Sequence, residues 1–146
     1  MKKVVLVTGC SSGFGRALCE SFSNKNYYVI ASARDLSKLE DVMADMKIEM
    51  DVSDERSIQA AVSGIHKEIG RIDILINNAG YSVRSAVEEI DMKELRDMYD
   101  VNVFGMLMVM QEVLPIMRQQ KSGRIINIGS ISGRGQWIQT FSERWR

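Results

Sequence analysis

The sequence is short of the residues from which metal centres and charged interfaces are built. It has one histidine, His66, which excludes a His-rich metal site, and two cysteines, Cys10 and Cys19, too few to make a zinc site by themselves. The cysteines stand nine residues apart, in an expected loop and the helix after it, a spacing that favours two reduced thiols over a disulfide. There is no excess of charge: 19 basic residues balance 19 acidic ones. That removes the electrostatic case for a nucleic-acid partner or a polybasic membrane contact. Long hydrophobic runs are missing too. Met1-Lys2-Lys3 is followed by four apolar residues, Val4 to Val7, before Thr8 and Gly9, which is no secretory pattern. The longest apolar stretch, Val103 to Met110, contains Gly105 and is far below the ~20 residues that span a bilayer. A soluble, cytoplasmic protein is expected.

What is present is ordinary globular material, 45% hydrophobic and 26% charged over 146 residues. That length suits one domain and can bury roughly 70% of its unfolded surface. Short β-rich runs alternate with helical periods. Val4–Val7 reads as a strand buried on both faces, followed by a helix with Phe14, Leu18 and Phe22 on one side. Strand two is expected over Tyr27–Ala33. A second helix, capped by Asp35, would carry Leu36, Leu39, Val42, Met43 and Met46, and strand three is expected over Lys47–Val52. Ser53 is the expected cap of a third helix with Ile58, Val62, Ile65 and Ile69 on one stripe, stopped by Gly70. Strand four is expected over Ile72–Ile76. A capping box at Asp91 and Glu94 opens a long helix that runs to Gln120, with a break and a bend at Pro115. Strand five is expected over Arg124–Ile128. The order implies a doubly wound parallel sheet with helices on both faces.

The turn after strand one is the first chemical signal. Glycines let a backbone turn tightly and approach a pyrophosphate, and the following helix N-terminus faces the anion with its free N–H groups. Here the spacing is Gly9-x-x-x-Gly13-x-Gly15; a plain structural turn is the alternative reading.

Thr8-Gly9-x-x-x-Gly13-x-Gly15, Asn77-Asn78-Ala79-Gly80 after strand four, Asp51-Val52 after strand three, Asn102 in the long helix and Ser130 after strand five occur in that order. Together they resemble the short-chain dehydrogenase/reductase family over Val4 to about Gly135, with a Rossmann-type sheet of strand order 3-2-1-4-5. The resemblance implies an NAD(P) cofactor held by Gly9, Ser11, Ser12, Gly13, Phe14 and Gly15 at the pyrophosphate, by Asp51 and Val52 beside the adenine, and by Asn78, Ala79 and Gly80 along its path. Asn77 is given a structural role. At the end of strand two, Ala33 stands where the family's NAD users carry an acid, and Arg34 follows. Arg34 favours NADP, although it could instead pair with Asp35 or Glu40, and Asp35 could reach a ribose.

The family reaction is hydride transfer between a nicotinamide and a small-molecule carbonyl or alcohol. By resemblance Ser130 is the substrate-binding serine, with Ser132 as a rival, and Asn102 the proton-relay asparagine. The family's Tyr-x-x-x-Lys pair has no match: no Tyr follows Tyr99 and no Lys follows Lys121. The chain therefore reads as residues 1–135 of a cofactor-binding domain and a divergent tail, 136–146, C-terminally truncated against the family. Two functions follow: an NADP-dependent oxidoreductase with little or no activity as this chain, or a non-catalytic NADP-binding or dimerisation module. The wide apolar surface around Val103 to Leu114 is the expected homodimer face.

Overall fold

The computed structural model describes residues 2–130; Ser132 and the 136–146 tail lie outside the described residues. Five parallel strands form one sheet in the order β3-β2-β1-β4-β5. They are β1 (Val4–Val7), β2 (Tyr28–Ala33), β3 (Met46–Glu49), β4 (Ile74–Asn77) and β5 (Arg124–Asn127). The four residues of β1 are all buried, as their unbroken apolar sequence requires of a central strand. Val5 lies between Val29 and Ile74, and Leu6 between Ile30 and Leu75.

Strand alternation sends side chains to two cores. On one face Leu6, Ile30 and Leu75 meet Ile58, Val62 and Ile65 of helix α2 (Glu55–Ile69) and Val109, Val113, Ile116 and Met117 of a later helix. On the other, Val5, Val7, Val29, Ala31 and Ile76 meet Cys19 of α1 (Gly13–Ser23), with Leu18 and Phe22 beside it, and Leu39 and Val42. Each fully buried Leu, Ile or Val contributes about 1.5–3 kcal/mol, so burial on both faces fixes β1 in the middle.

The expected second helix is absent. Leu36–Leu39 is a single 3-10 turn, and β3 starts at Met46, taking that residue from the helical stripe. The six residues of β2 rise about 20 Å at roughly 3.3 Å each. A helix returning that distance needs about 13 residues. The chain between Ala33 and Met46 cannot hold such a helix and a turn at each end. Leu36 and Met43 are exposed in consequence. Asp35 does cap the turn, accepting from the Ser37 N–H at 3.0 Å. At α2 the cap is Asp54, whose side chain accepts from the Arg56 N–H, while Ser53 donates instead to Asp51. Gly70 ends α2 at φ +76°.

The long helical span divides into α3 (Met92–Tyr99), a π-helical segment (Asp100–Gly105) and α4 (Met106–Gln120). The break lies in the π segment, and α4 continues through Pro115. Asp91 caps α3 through the Lys93 N–H. The run Met92–Gln120 has membrane-spanning length, with a mean hydropathy of 1.3 in its most apolar window. It is nonetheless a core helix on one side, with Val109 and Val113 fully buried against the sheet.

Carboxylates fasten the amino ends of two strands. Asp45 accepts from the Val29 N–H at 2.8 Å. Asp73 accepts from the Val4 N–H at 2.8 Å and is paired with Arg71, whose Nε lies 3.0 Å away. Burial pushes the Asp73 carboxyl up, but the hydrogen bonds from Arg71 and Val4 outweigh it and hold the group below its ordinary value. A lowered carboxylate contributes stability above its unfolded pKa, near 4, and loses it as pH falls through the folded value. Asp73→Ala should therefore cost about 1–3 kcal/mol at pH 7, read by urea unfolding. The variant's stability should also fall less than the parent's below about pH 4.

Candidate functional site

A cleft of about 900 Å³ opens at the carboxyl ends of the strands. The strand order reverses between β1 and β4, and in open α/β sheets ligands bind at that switch point. Its floor is the loop from β1 to α1. Thr8 anchors this loop: its hydroxyl accepts from the N–H groups of Asn78 and Ala79, both at 3.0 Å. The Asn78 amide donates back to the carbonyls of Thr8 at 2.9 Å and Gly9 at 3.1 Å.

Two glycines make this closeness possible. A Cβ on Gly9, at φ +70°, would lie 2.7 Å from Ala79 Cα; one on Gly15 would meet the Gly9 carbonyl oxygen and the Asn78 Nδ2 at 2.6 Å. Gly13 is also left-handed, at φ +55°. Ser12 takes the N-cap position of α1 without a side-chain cap bond, and no acidic residue stands in the first turn. The helix thus presents open N–H groups and a positive dipole end to the cleft.

The expected site residues converge there. Gly9, Ser11, Ser12, Gly13 and Phe14 line the cleft at the loop, Arg34 at the end of β2, and Asp51 and Val52 after β3. Asn78, Ala79 and Gly80 line it after β4, Asn102 from the π segment, and Ser130 after β5. Gly15 does not line it; its part is to let α1 approach Gly9. Phe14 is not on the buried side of α1 with Leu18 and Phe22, as its spacing predicts. At 77% exposure it stands at the cleft, because Gly15 and Cys19 take the inward face.

The asparagines differ from the expected division of labour. Asn77 does bridge strands, donating to Asn127 Oδ1 at 2.9 Å. Asn78 is equally structural, since its amide holds the glycine loop while the residue also walls the cleft. Asn102 grips the Tyr81 backbone from both sides: its Oδ1 accepts from the Tyr81 N–H at 3.0 Å, and its Nδ2 donates to the Tyr81 carbonyl at 2.7 Å. Its side chain is therefore a clamp on the β4–α3 connection.

Arg34 pairs with neither Asp35 nor Glu40 among the described residues. Bonds from Ser37 hold the Asp35 carboxyl below its ordinary value and tie it to the turn. Asp51 accepts from the Ser53 N–H at 2.9 Å and hydroxyl at 2.7 Å. The residues therefore fit a dinucleotide: a glycine cradle and a helix N-terminus share one cleft, with the exposed Arg34 on its wall. Sequence reasoning missed Ser82, Val101 and Ile128 as lining residues. Ser82 and Val101 stand within two residues of motif positions; the expected strand five ends at Ile128, but β5 ends at Asn127, which leaves Ile128 at the cleft.

Replacing Asn102 with Ala should raise backbone hydrogen exchange at Tyr81 and its neighbours, with a stability loss of about 1 kcal/mol. Asn102→Asp should show a similar exchange increase, since a carboxylate can accept from the Tyr81 N–H but cannot donate to its carbonyl.

A family model described as short chain dehydrogenase matches residues 3–142. An oxidoreductase of Botryotinia fuckeliana is 39% identical over 140 residues, covering 92% of this chain and 51% of its own length. Among solved structures, a short-chain dehydrogenase from Streptomyces avermitilis superposes with a TM-score of 0.85 at 39% identity, over 89% of this chain and 50% of that one. A metagenomic short-chain oxidoreductase in complex with NADP gives 0.84 at 29% identity, over 90% and 63%. The chain thus spans about half the length of the first of these relatives.

Proposed function

The chain belongs to the short-chain dehydrogenase family, and on that premise we propose that its cleft binds NADP in preference to NAD. The observation that carries this reading is Arg34, exposed on the cleft wall directly after buried Ala33, with no acid at the end of β2. A planar guanidinium suits a 2′-phosphate, whereas a ribose 2′-hydroxyl is met by a carboxylate. A similar solved structure has NADP bound, which supports the same choice.

The chain's own residues then have definite tasks. The loop amides and the α1 N-terminus take the diphosphate, and Arg34 takes the 2′-phosphate. Asp51 and Val52 flank the adenine, and Asn78 to Gly80 wall the path to the nicotinamide. A bound nicotinamide supplies the hydride. Ser130 hydrogen-bonds the oxygen of a small-molecule carbonyl or alcohol. Asn102 fixes Tyr81 at the same end of the cleft. The two free, buried thiols support a reducing, cytoplasmic setting.

The sequence of 146 residues has no Tyr-x-x-x-Lys. A tyrosine, ordinarily near pKa 10, needs a nearby cation to act as acid and base at neutral pH. For these 146 residues the reading is therefore NADP binding by the chain, without the acid–base pair that carbonyl reduction needs. Its outer surface suits self-association: Tyr99, Val103 and Leu107 recur every four residues on the α3–α4 span, with Phe104 beside them, all exposed.

Titration should give tighter binding of NADPH than of NADH. Arg34→Ala should weaken NADPH about 10- to 100-fold and change NADH little; equal affinities in the parent chain would remove Arg34 from the argument. In sedimentation, Phe104→Glu should shift a dimer toward monomer, and a parent chain that is monomeric at all accessible concentrations would refute the helical interface.

A further inference from the structure

Cys10 and Cys19 have no part in the cleft chemistry, yet the fold brings them together. Both are fully buried and free, with their sulfurs 3.4 Å apart. Cys10 lies in the glycine loop between Gly9 and Ser11, both of which line the cleft. Its N–H donates to the Ser32 carbonyl at 2.8 Å and its thiol to the Val7 carbonyl at 3.1 Å. Cys19 lies one helical turn beyond Gly15, which itself bears on the Gly9 carbonyl. Loop and helix therefore touch at two points, and one of them is a pair of thiols.

We propose that Cys10 and Cys19 form an oxidisable dithiol whose closure to a disulfide weakens the glycine loop's hold on a dinucleotide diphosphate. The second half of this statement rests on the cofactor reading given above.

Hydrogen peroxide, little larger than water, is an oxidant suited to a buried pair. The two sulfurs are unequal. The hydrogen bond between the two sulfurs, and then burial, pushes the Cys10 thiol up; the same bond lowers Cys19, which ionises first. The Cys19 thiolate attacks one peroxide oxygen, the O–O bond breaks, and the departing hydroxide takes a proton to become water. The Cys10 sulfur then attacks the sulfenic sulfur of Cys19, forming the S–S bond and displacing a second hydroxide, which leaves as water with the Cys10 proton. Two thiols lose two electrons and two protons, and one peroxide becomes two waters.

A disulfide needs an S–S distance of about 2.0 Å, so the sulfurs must approach by roughly 1.4 Å. The start of the loop cannot follow, because Thr8 and Gly9 are held by Asn78 and Cys10 by Ser32. The movement falls on residues 11–15 and the first turn of α1, whose N–H groups face the cleft. By linkage, a bound dinucleotide that holds this turn must oppose closure as strongly as closure opposes binding.

The test treats the 146-residue protein with hydrogen peroxide and reads three quantities: intact mass with a peptide map, NADPH affinity, and hydrogen exchange over residues 9–19 without nucleotide. The expected result is a loss of about 2 Da in a Cys10–Cys19 cross-link, a fall in NADPH affinity of about fivefold or more, and altered exchange. Dithiothreitol should reverse all three, and NADPH should slow cross-linking. Cys19→Ser and Cys19→Ala should bind NADPH as the reduced parent does, and peroxide should not lower their affinity. Should the reduced parent fail to bind NADPH, the cofactor reading fails by itself, and the dithiol stands or falls on the cross-link and the exchange. Treated protein without the cross-link, or cross-linked protein with unchanged binding and exchange, would overturn the proposal.

Discussion

The hydroxyl of Thr8 receives the N–H groups of Asn78 and Ala79, and the Asn78 amide returns the contact to the carbonyls of Thr8 and Gly9. These four bonds join the carboxyl ends of β1 and β4 across 70 residues of sequence. Everything the cleft offers depends on them. They fix where the glycine loop leaves the sheet, and so where α1 begins. They also bring Gly9 so close to Ala79 that no side chain fits between. A half-buried polar junction of this kind is costly unless its members are bonded, and here the partners satisfy one another. Its strength is thus inseparable from its shape.

The α3–α4 span frames the other side of the cleft by a related device. In the π segment Asn102 bonds both backbone groups of Tyr81; at the carboxyl end, Gln120 accepts from the Ile72 N–H at 2.8 Å and donates to its carbonyl at 3.0 Å. The two amides grip the chain after and before β4. Between them Gly105 lets the helix settle against the Val52 carbonyl oxygen, where a Cβ would collide. The π segment is where the span passes from gripping Tyr81 to packing on the sheet.

The strands and the glycine cradle were legible because each has a local signature: unbroken apolar runs for Val4–Val7 and Ile74–Ile76, and glycines at a strand–helix turn; the strand order came only with the family resemblance. The expected second helix is absent: apolar spacing reports which side is greasy, not how far the chain must travel. Leu36, Leu39 and Val42 fit a helical period, but the span between Ala33 and Met46 is fixed by the length of β2. Sequence alone does not separate Asp54 from Ser53 as the cap of α2, because both residue types cap well, and only the competing bond to Asp51 decides. At the site the sequence named the right neighbourhood but not the direction of each side chain. The motifs point Asn78 and Asn102 at a ligand, whereas their side-chain bonds are to backbone atoms distant in sequence. Phe14 turned out exposed because helical phase alone does not say which face lies on the sheet.

The placement of β1 bears on how the protein is made. Of the five described strands, the earliest in the sequence, and so the first of them to leave the ribosome, is the middle one of the sheet, entirely apolar and flanked on both sides. Its neighbour β2 follows within a few seconds, but β4 arrives some 70 residues later. At roughly 5–20 residues per second, that is about 4–14 s of synthesis. Throughout that interval Val4–Val7 has one open edge, and the glycine loop lacks the asparagine that shapes it. The nascent chain is accordingly most exposed to wrong pairing before Asn78 emerges, and a chaperone that shields short apolar strands would act chiefly in that window.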